Sequence, residues 1–127
     1  DDGPLLRYDR GDANGETSGW VPHVDIREDA SGYRVYVDVP GVAPEDVEVT
    51  VHNNVLTISG ERNETNMSEG EQFKRRERSY GSFLRQFSLP DEIDKNSVNA
   101  AANNGVLIIT IPRAEDIQPR SITVTGE

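Results

Sequence analysis

The stretch that most constrains this chain is Asn104-Gly105-Val106-Leu107-Ile108-Ile109-Thr110-Ile111-Pro112, a turn dipeptide feeding a run that is apolar on both faces. Side chains alternate along a strand, so Val106 and Ile108 share one face while Leu107, Ile109 and Ile111 share the other. One face of an antiparallel sheet normally meets water. The run therefore predicts cover on both faces, the second supplied by something outside a simple sandwich. Past Arg113, Ile122-Thr123-Val124 presents two apolar side chains at i and i+2, in the manner of a plug. The pair of features points to an assembling, surface-capturing protein rather than a catalyst.

The rest of the domain alternates with the same period of two, beginning at Trp20. Tyr33, Val35, Val37 and Val39 point one way and Arg34, Tyr36 and Asp38 the other, until Pro40-Gly41 stops the strand. From Asp46 to His52 the inward set is Val47, Val49 and Val51. Asn53-Asn54 fits a two-residue hairpin turn because Asn tolerates positive φ, and Val55 to Ser59 is the returning strand. Strand signals resume from Ser82 to Leu89, Pro90 ends them, Asp91 to Lys95 reads as a turn, and Val98 to Ala102 as a weak strand. Ala100, Ala101 and Ala102 have little strand propensity, and their small side chains predict a shallow groove beside a neighbouring strand. Roughly seven or eight short strands with closely spaced turns read as an all-β sandwich. Its expected core is Trp20, Ile26, the valine stripes, Leu56, Ile58, Phe83, Phe87, Ile109 and Ile111.

Two segments break the pattern. Gly60 to Gly81 is long, mostly polar and charge-split, with glutamates early and Lys74, Arg75, Arg76 and Arg78 late. Structureless loops of that length are uncommon within a compact domain, so it is either disordered or leaves the domain to pair elsewhere. Arg85 shares a face with Phe83, Phe87 and Leu89, and a charge in an apolar stripe is costly unless paired. Either Arg85 reaches solvent from an edge strand, or it is a paired arginine at a subunit contact.

Composition narrows the classes. With 127 residues the chain is one domain with a core of its own. No cysteine means no disulfide framework and no thiolate metal site, and no apolar run approaches the ~20 residues of a spanning helix. The expected location is cytoplasmic. A net charge of −10 argues against nucleic acid or anionic membrane as main partner. Asp1 to Gly19 is polar, lacks an initiating Met and a signal-type apolar segment, and reads as a processed or engineered start. The search for chemistry returns no phosphate-cradling glycine loop and no nucleophile elbow. His23 and His52 lie far apart without a third ligand, and Asp25 and Glu28 fall on opposite strand faces, so neither catalytic, metal nor cofactor residues are expected.

Several ordered motifs then carry a family likeness: Pro22-His23-Val24-Asp25-Ile26-Arg27-Glu28, Val37-Asp38-Val39-Pro40-Gly41-Val42, Leu56-Thr57-Ile58-Ser59-Gly60-Glu61-Arg62, Glu77 through Pro90, and Ala100 to Asn104 before Gly105-Val106-Leu107. Together they closely resemble the α-crystallin domain of small heat-shock proteins of the bacterial and plant type, over about Trp20 to Arg113 plus the tail. The resemblance implies an immunoglobulin-like antiparallel β-sandwich of seven to nine strands at 20–113, flanked by an arm remnant at 1–19 and an extension at 114–127. It implies an ATP-independent holdase that captures unfolding client proteins, built as a homodimer and then a higher homo-oligomer. In such proteins the long loop, here 60–81, carries a strand exchanged with the partner subunit. Phe73, Arg75, Arg78 and Arg85 are then expected at the dimer interface, Arg85 on the Phe-x-Arg-x-Phe pattern. The tail motif falls on Ile122 and Val124, expected to dock on a neighbouring dimer in a groove formed by Val47, Val49, Val51, Val98, Ala100 and Ala102. The short polar Asp1 to Gly19 departs from the family's longer apolar arm and points to a truncated form. A monomeric co-chaperone-like sandwich is the rival reading.

Overall fold

The computed structural model describes residues 19–115 and 121–126. Seven strands run through the described residues: β1 Val24–Asp29, β2 Gly32–Asp38, β3 Val47–His52, β4 Val55–Arg62, β5 Gly81–Ser88, β6 Asn99–Asn103 and β7 Val106–Pro112. They form a four-stranded sheet, β1-β2-β7-β6, and a three-stranded sheet, β3-β4-β5, with every pairing antiparallel. The expectations for residues 1–18, 116–120 and 127 lie outside the described residues.

The alternation read from the sequence sets the packing. Val35, Val37, Leu56, Ile58, Ile109 and Ile111 are fully buried between the sheets, with Phe83 and Phe87 nearly so. Asn53 and Asn54 sit at φ 51° and 62°, the left-handed pair that a tight hairpin between β3 and β4 requires. Trp20 meets Phe83 edge-on at 5.3 Å and donates its indole N–H to Gly81 O, closing one end of the sandwich.

Several expectations need correction. Trp20, Ile26, Val47, Val49 and Val51 are only partly buried, packed against the core rather than filling it. Leu89 and Ile93 are buried instead, Ile93 because it bridges Arg113 at the end of β7. Val106 and Ile108 are half-buried on the outer face, and the cover comes from their own sheet: Ile108 lies in register between Tyr36 and Ala101.

The returning strand does not stop at Ser59. It continues through Gly60 to Arg62, pairing Gly60 with Phe83 and Arg62 with Gly81. Gly60, expected as the first residue of the long connection, is a strand residue with a packing role, since a Cβ there would lie 2.7 Å from the Phe83 ring and 2.5 Å from Asp46 O. Gly60→Ala is therefore expected to destabilise the domain by roughly 1–3 kcal/mol, the usual cost of overpacking. A lowered midpoint in a thermal melt checks this, and an unchanged midpoint would mean that Phe83 repacks freely.

Candidate docking cleft and assembly surfaces

The edges of the two sheets are not equally covered. On β6, Ala100 and Ala102 stand in register with Ile109 and Leu107 and so face the other sheet. Their methyl groups are too short to reach β3, the edge strand opposite. What remains is a cleft of about 240 Å³ walled by Val47 and Val49 on one side and Ala100, Ala101 and Ala102 on the other. Leu107, Val39, Val42 and Pro44 complete the lining. A volume below the ~300 Å³ of ordinary small-molecule sites suits a pair of aliphatic side chains better than a ligand.

Of the six residues expected to form the groove, Val47, Val49, Ala100 and Ala102 are brought together here. Val51 and Val98 are not in its lining; both pack partly against the core. Sequence reasoning missed Val39, Val42, Pro44 and Leu107. The first three belong to the connection between β2 and β3. It is drawn in where Val39 N–H donates to Gly105 O at 2.8 Å, and where Gly105, at φ 80°, lets Pro40 approach. The Pro40-Gly41 breaker could have flagged a chain reversal there, but not its contact with Gly105.

The tail carries two exposed aliphatic side chains. Ile122 and Val124 are 78% and 91% exposed.

The four residues expected at a dimer interface fall on two elements. Phe73, Arg75 and Arg78 lie in the 63–80 connection between β4 and β5, which contains no strand. Phe73 is 44% exposed with the Arg76 guanidinium 4.2 Å from its ring, and Arg76 pairs with Glu64 at 2.8 Å. Arg75 pairs loosely with Glu77 in solvent, and Arg78 reaches the Tyr80 hydroxyl. Arg85 lies on β5, an edge strand, half-buried, and donates to Pro22 O at 2.8 Å. Its guanidinium is 5.2 Å from the Phe87 ring, so the charge in the apolar stripe is met partly by a carbonyl from a distant part of its own chain.

Arg62 is the residue at this end that the pattern reading did not single out. It donates to Pro40 O and Ser79 O and lies 4.0 Å over Trp20, tying both roots of the long connection to the sandwich. Among the described residues, no group of three or more His, Cys, Asp or Glu is placed to hold a metal ion. No helix among them is long and apolar enough to cross a membrane.

Comparison with known proteins gives a consistent picture. The profile of the Hsp20/alpha crystallin family matches residues 25–125. Small heat shock protein C2 of Rickettsia felis is 41% identical over 84% of this chain and 69% of its own length. The 22.0 kDa heat shock protein of Arabidopsis thaliana is 42% identical over 82% of this chain and 55% of its own. This chain thus spans between about half and two thirds of the length of such relatives. Among solved structures, a small heat-shock protein from Xylella fastidiosa, described as having a distinct high order structure, superposes with a TM-score of 0.73. It is 44% identical and covers 84% of this chain and 98% of its own.

Proposed function

The chain belongs to the Hsp20/alpha crystallin family of chaperones, and from that premise we propose that it is an ATP-independent holdase that binds unfolding proteins as a dimer-based homo-oligomer. The observation that carries the reading is the coexistence of an open aliphatic cleft at one sandwich edge with an exposed aliphatic pair on the tail. The two surfaces have matching chemistry. Covering apolar surface contributes ~25 cal/mol per Å², so a cleft that is reversibly plugged can hide its own surface and still compete for that of an unfolding client. No bond is made or broken, and no nucleotide is consumed.

Dimer formation is assigned to the 63–80 connection, which would leave its own domain and add a strand to the partner's sheet, with Phe73, Arg75, Arg78 and Arg85 at the contact. An exposed polar connection tied at its roots by Arg62 suits that task, since it can swing without disturbing β4 or β5. Growth beyond the dimer is assigned to Ile122 and Val124 docking against Val47, Val49, Ala100 and Ala102 of a neighbour, with Val51 and Val98 flanking them.

The test is light scattering from a heat-labile client at near-stoichiometric ratio with no nucleotide present. Suppression of the scattering signal is the expected result. Scattering that rises as fast with this chain as without it would overturn the holdase reading.

A further inference from the structure

The outer face of the four-stranded sheet takes no part in tail docking or strand exchange, and its side chains repeat about a line. Val35, Val37, Leu107 and Ile109 are buried between the sheets, so the residues alternating with them face outward. Register sets the outward residues of β2, β7 and β6 in three rows. Arg34, Thr110 and Asn99 form the first, Tyr36, Ile108 and Ala101 the second, and Asp38, Val106 and Asn103 the third. A half-turn about the middle row exchanges the two outer ones. In β6 it lays Asn on Asn, and in β7 it lays Thr on Val, two side chains alike in shape. In β2 it lays Arg34 of one chain on Asp38 of the other, and by symmetry does so twice.

Charge favours a second copy as the occupant. A net charge of −10 makes most of the surface repel another chain. On this face Arg27 and Arg34 offset Asp25 and Asp38. Asp29, at the corner, has its carboxyl held below the usual carboxylate range by hydrogen bonds from Ser31 and, to a lesser degree, by Arg34. Arg34 and Asp38 stand four steps apart on one strand, roughly 13 Å, so they cannot pair within a chain. Neither forms an ion pair with another described residue. Between them the Tyr36 ring, with the Arg27 guanidinium 4.5 Å from its centre, and Ile108 are half-buried and make the middle of the face apolar.

We propose that this face is a self-complementary contact on which a second copy of the chain packs sheet against sheet, about a two-fold axis along the row of Tyr36, Ile108 and Ala101. Sheets packed face to face lie ~10 Å apart with their strands nearly aligned, and a half-turn across the strands gives that arrangement. The plate is small. Four strands ~4.8 Å apart and roughly 20 Å of strand length make about 400 Å² on each copy, against the ~800 Å² that each partner of a stable pair buries. It is therefore a lateral contact, filled in concentrated solution or between chains already held in one assembly. It uses neither the tail nor the 63–80 connection, so it stands or falls separately from tail docking and strand exchange.

The chain has no cysteine, so Ala101→Cys places a single thiol at the exposed end of the middle row. A short bis-maleimide then joins it to the same thiol of a facing copy, and mass spectrometry of the concentrated full chain counts the cross-linked dimer. That dimer is expected in the reporter chain. Adding Arg34→Glu sets acid against acid across the contact, and adding Asp38→Arg instead sets base against base; each is expected to lower the yield about fivefold or more. Both positions are exposed, so the melting midpoint and far-UV circular dichroism are expected to stay those of the parent. Mixing the two variants is expected to restore the yield, because two acidic positions on one chain then meet two basic ones on the other. No dimer in the reporter chain, a yield that either substitution leaves unmoved, or a mixture that links no better than its parts would each overturn the proposal.

Discussion

Replacing Ile122 and Val124 together by Ala is expected to leave a folded sandwich whose assemblies have fallen to dimers, read as native mass by light scattering after size exclusion. Both side chains are exposed within their own chain, so their truncation takes nothing from the core, and the melting midpoint of the domain is expected to stay put. The effect lies wholly in association. Fully burying an aliphatic side chain contributes ~1.5–3 kcal/mol, from which the ordering of each immobilised side chain subtracts about 0.5–1.5 kcal/mol. Taken low with low and high with high, a docked pair is then worth roughly 2–3 kcal/mol, about 30-fold to 160-fold in each contact. Such a contact exchanges readily by itself. Repeated around a closed assembly it becomes cooperative, so removing it everywhere at once acts as a switch rather than a graded loss. A native mass unchanged by the double substitution would show that the tail holds nothing together.

The strands were legible where one rule governed them. Period-two valine stripes placed β2 and β3, and Asn53-Asn54 placed the turn after β3, because side-chain alternation and left-handed φ are local properties. What the pattern could not show was depth. Val47 and Val49 alternate as cleanly as Val35 and Val37, yet they sit half-buried beside a cleft whose other wall is alanine. The same shortfall in side-chain volume makes the cleft, so the alanine run was informative about the site while misleading about the core. Gly60 was placed in the long connection because the local pattern turns polar there, whereas tertiary pairing with Phe83 keeps it in the strand. Arg85 and Arg113 lay furthest from view. Their acceptors at Pro22 and at Ala30 are 63 and 83 residues away in sequence, and no periodicity connects them.

The connection between β4 and β5 gives the sharpest test of assembly. Deleting Asn63 to Phe73 is expected to yield a folded monomer. Arg62 and Gly81 are cross-strand partners, so the ends to be joined are already adjacent, and the seven residues left from 74 to 80 suffice for a hairpin connection. Shortening the loop lowers its closure cost by ~0.8 kcal/mol on the logarithmic rule. The deletion removes the Arg76 to Glu64 ion pair and the half-exposed Phe73, and exposed pairs contribute at most about 1 kcal/mol. These small terms nearly cancel, so the monomer is expected to melt close to the parent domain, with the Arg62 contacts to Pro40 and Ser79 still in place. If the segment carries an exchanged strand, its loss removes a row of backbone hydrogen bonds at the partner's sheet edge, and nothing in the retained chain can replace them. The dimer should then vanish at micromolar concentration while the domain survives. A deletion variant that still runs as a dimer would refute strand exchange, and a parent chain that is itself monomeric would favour the co-chaperone-like module.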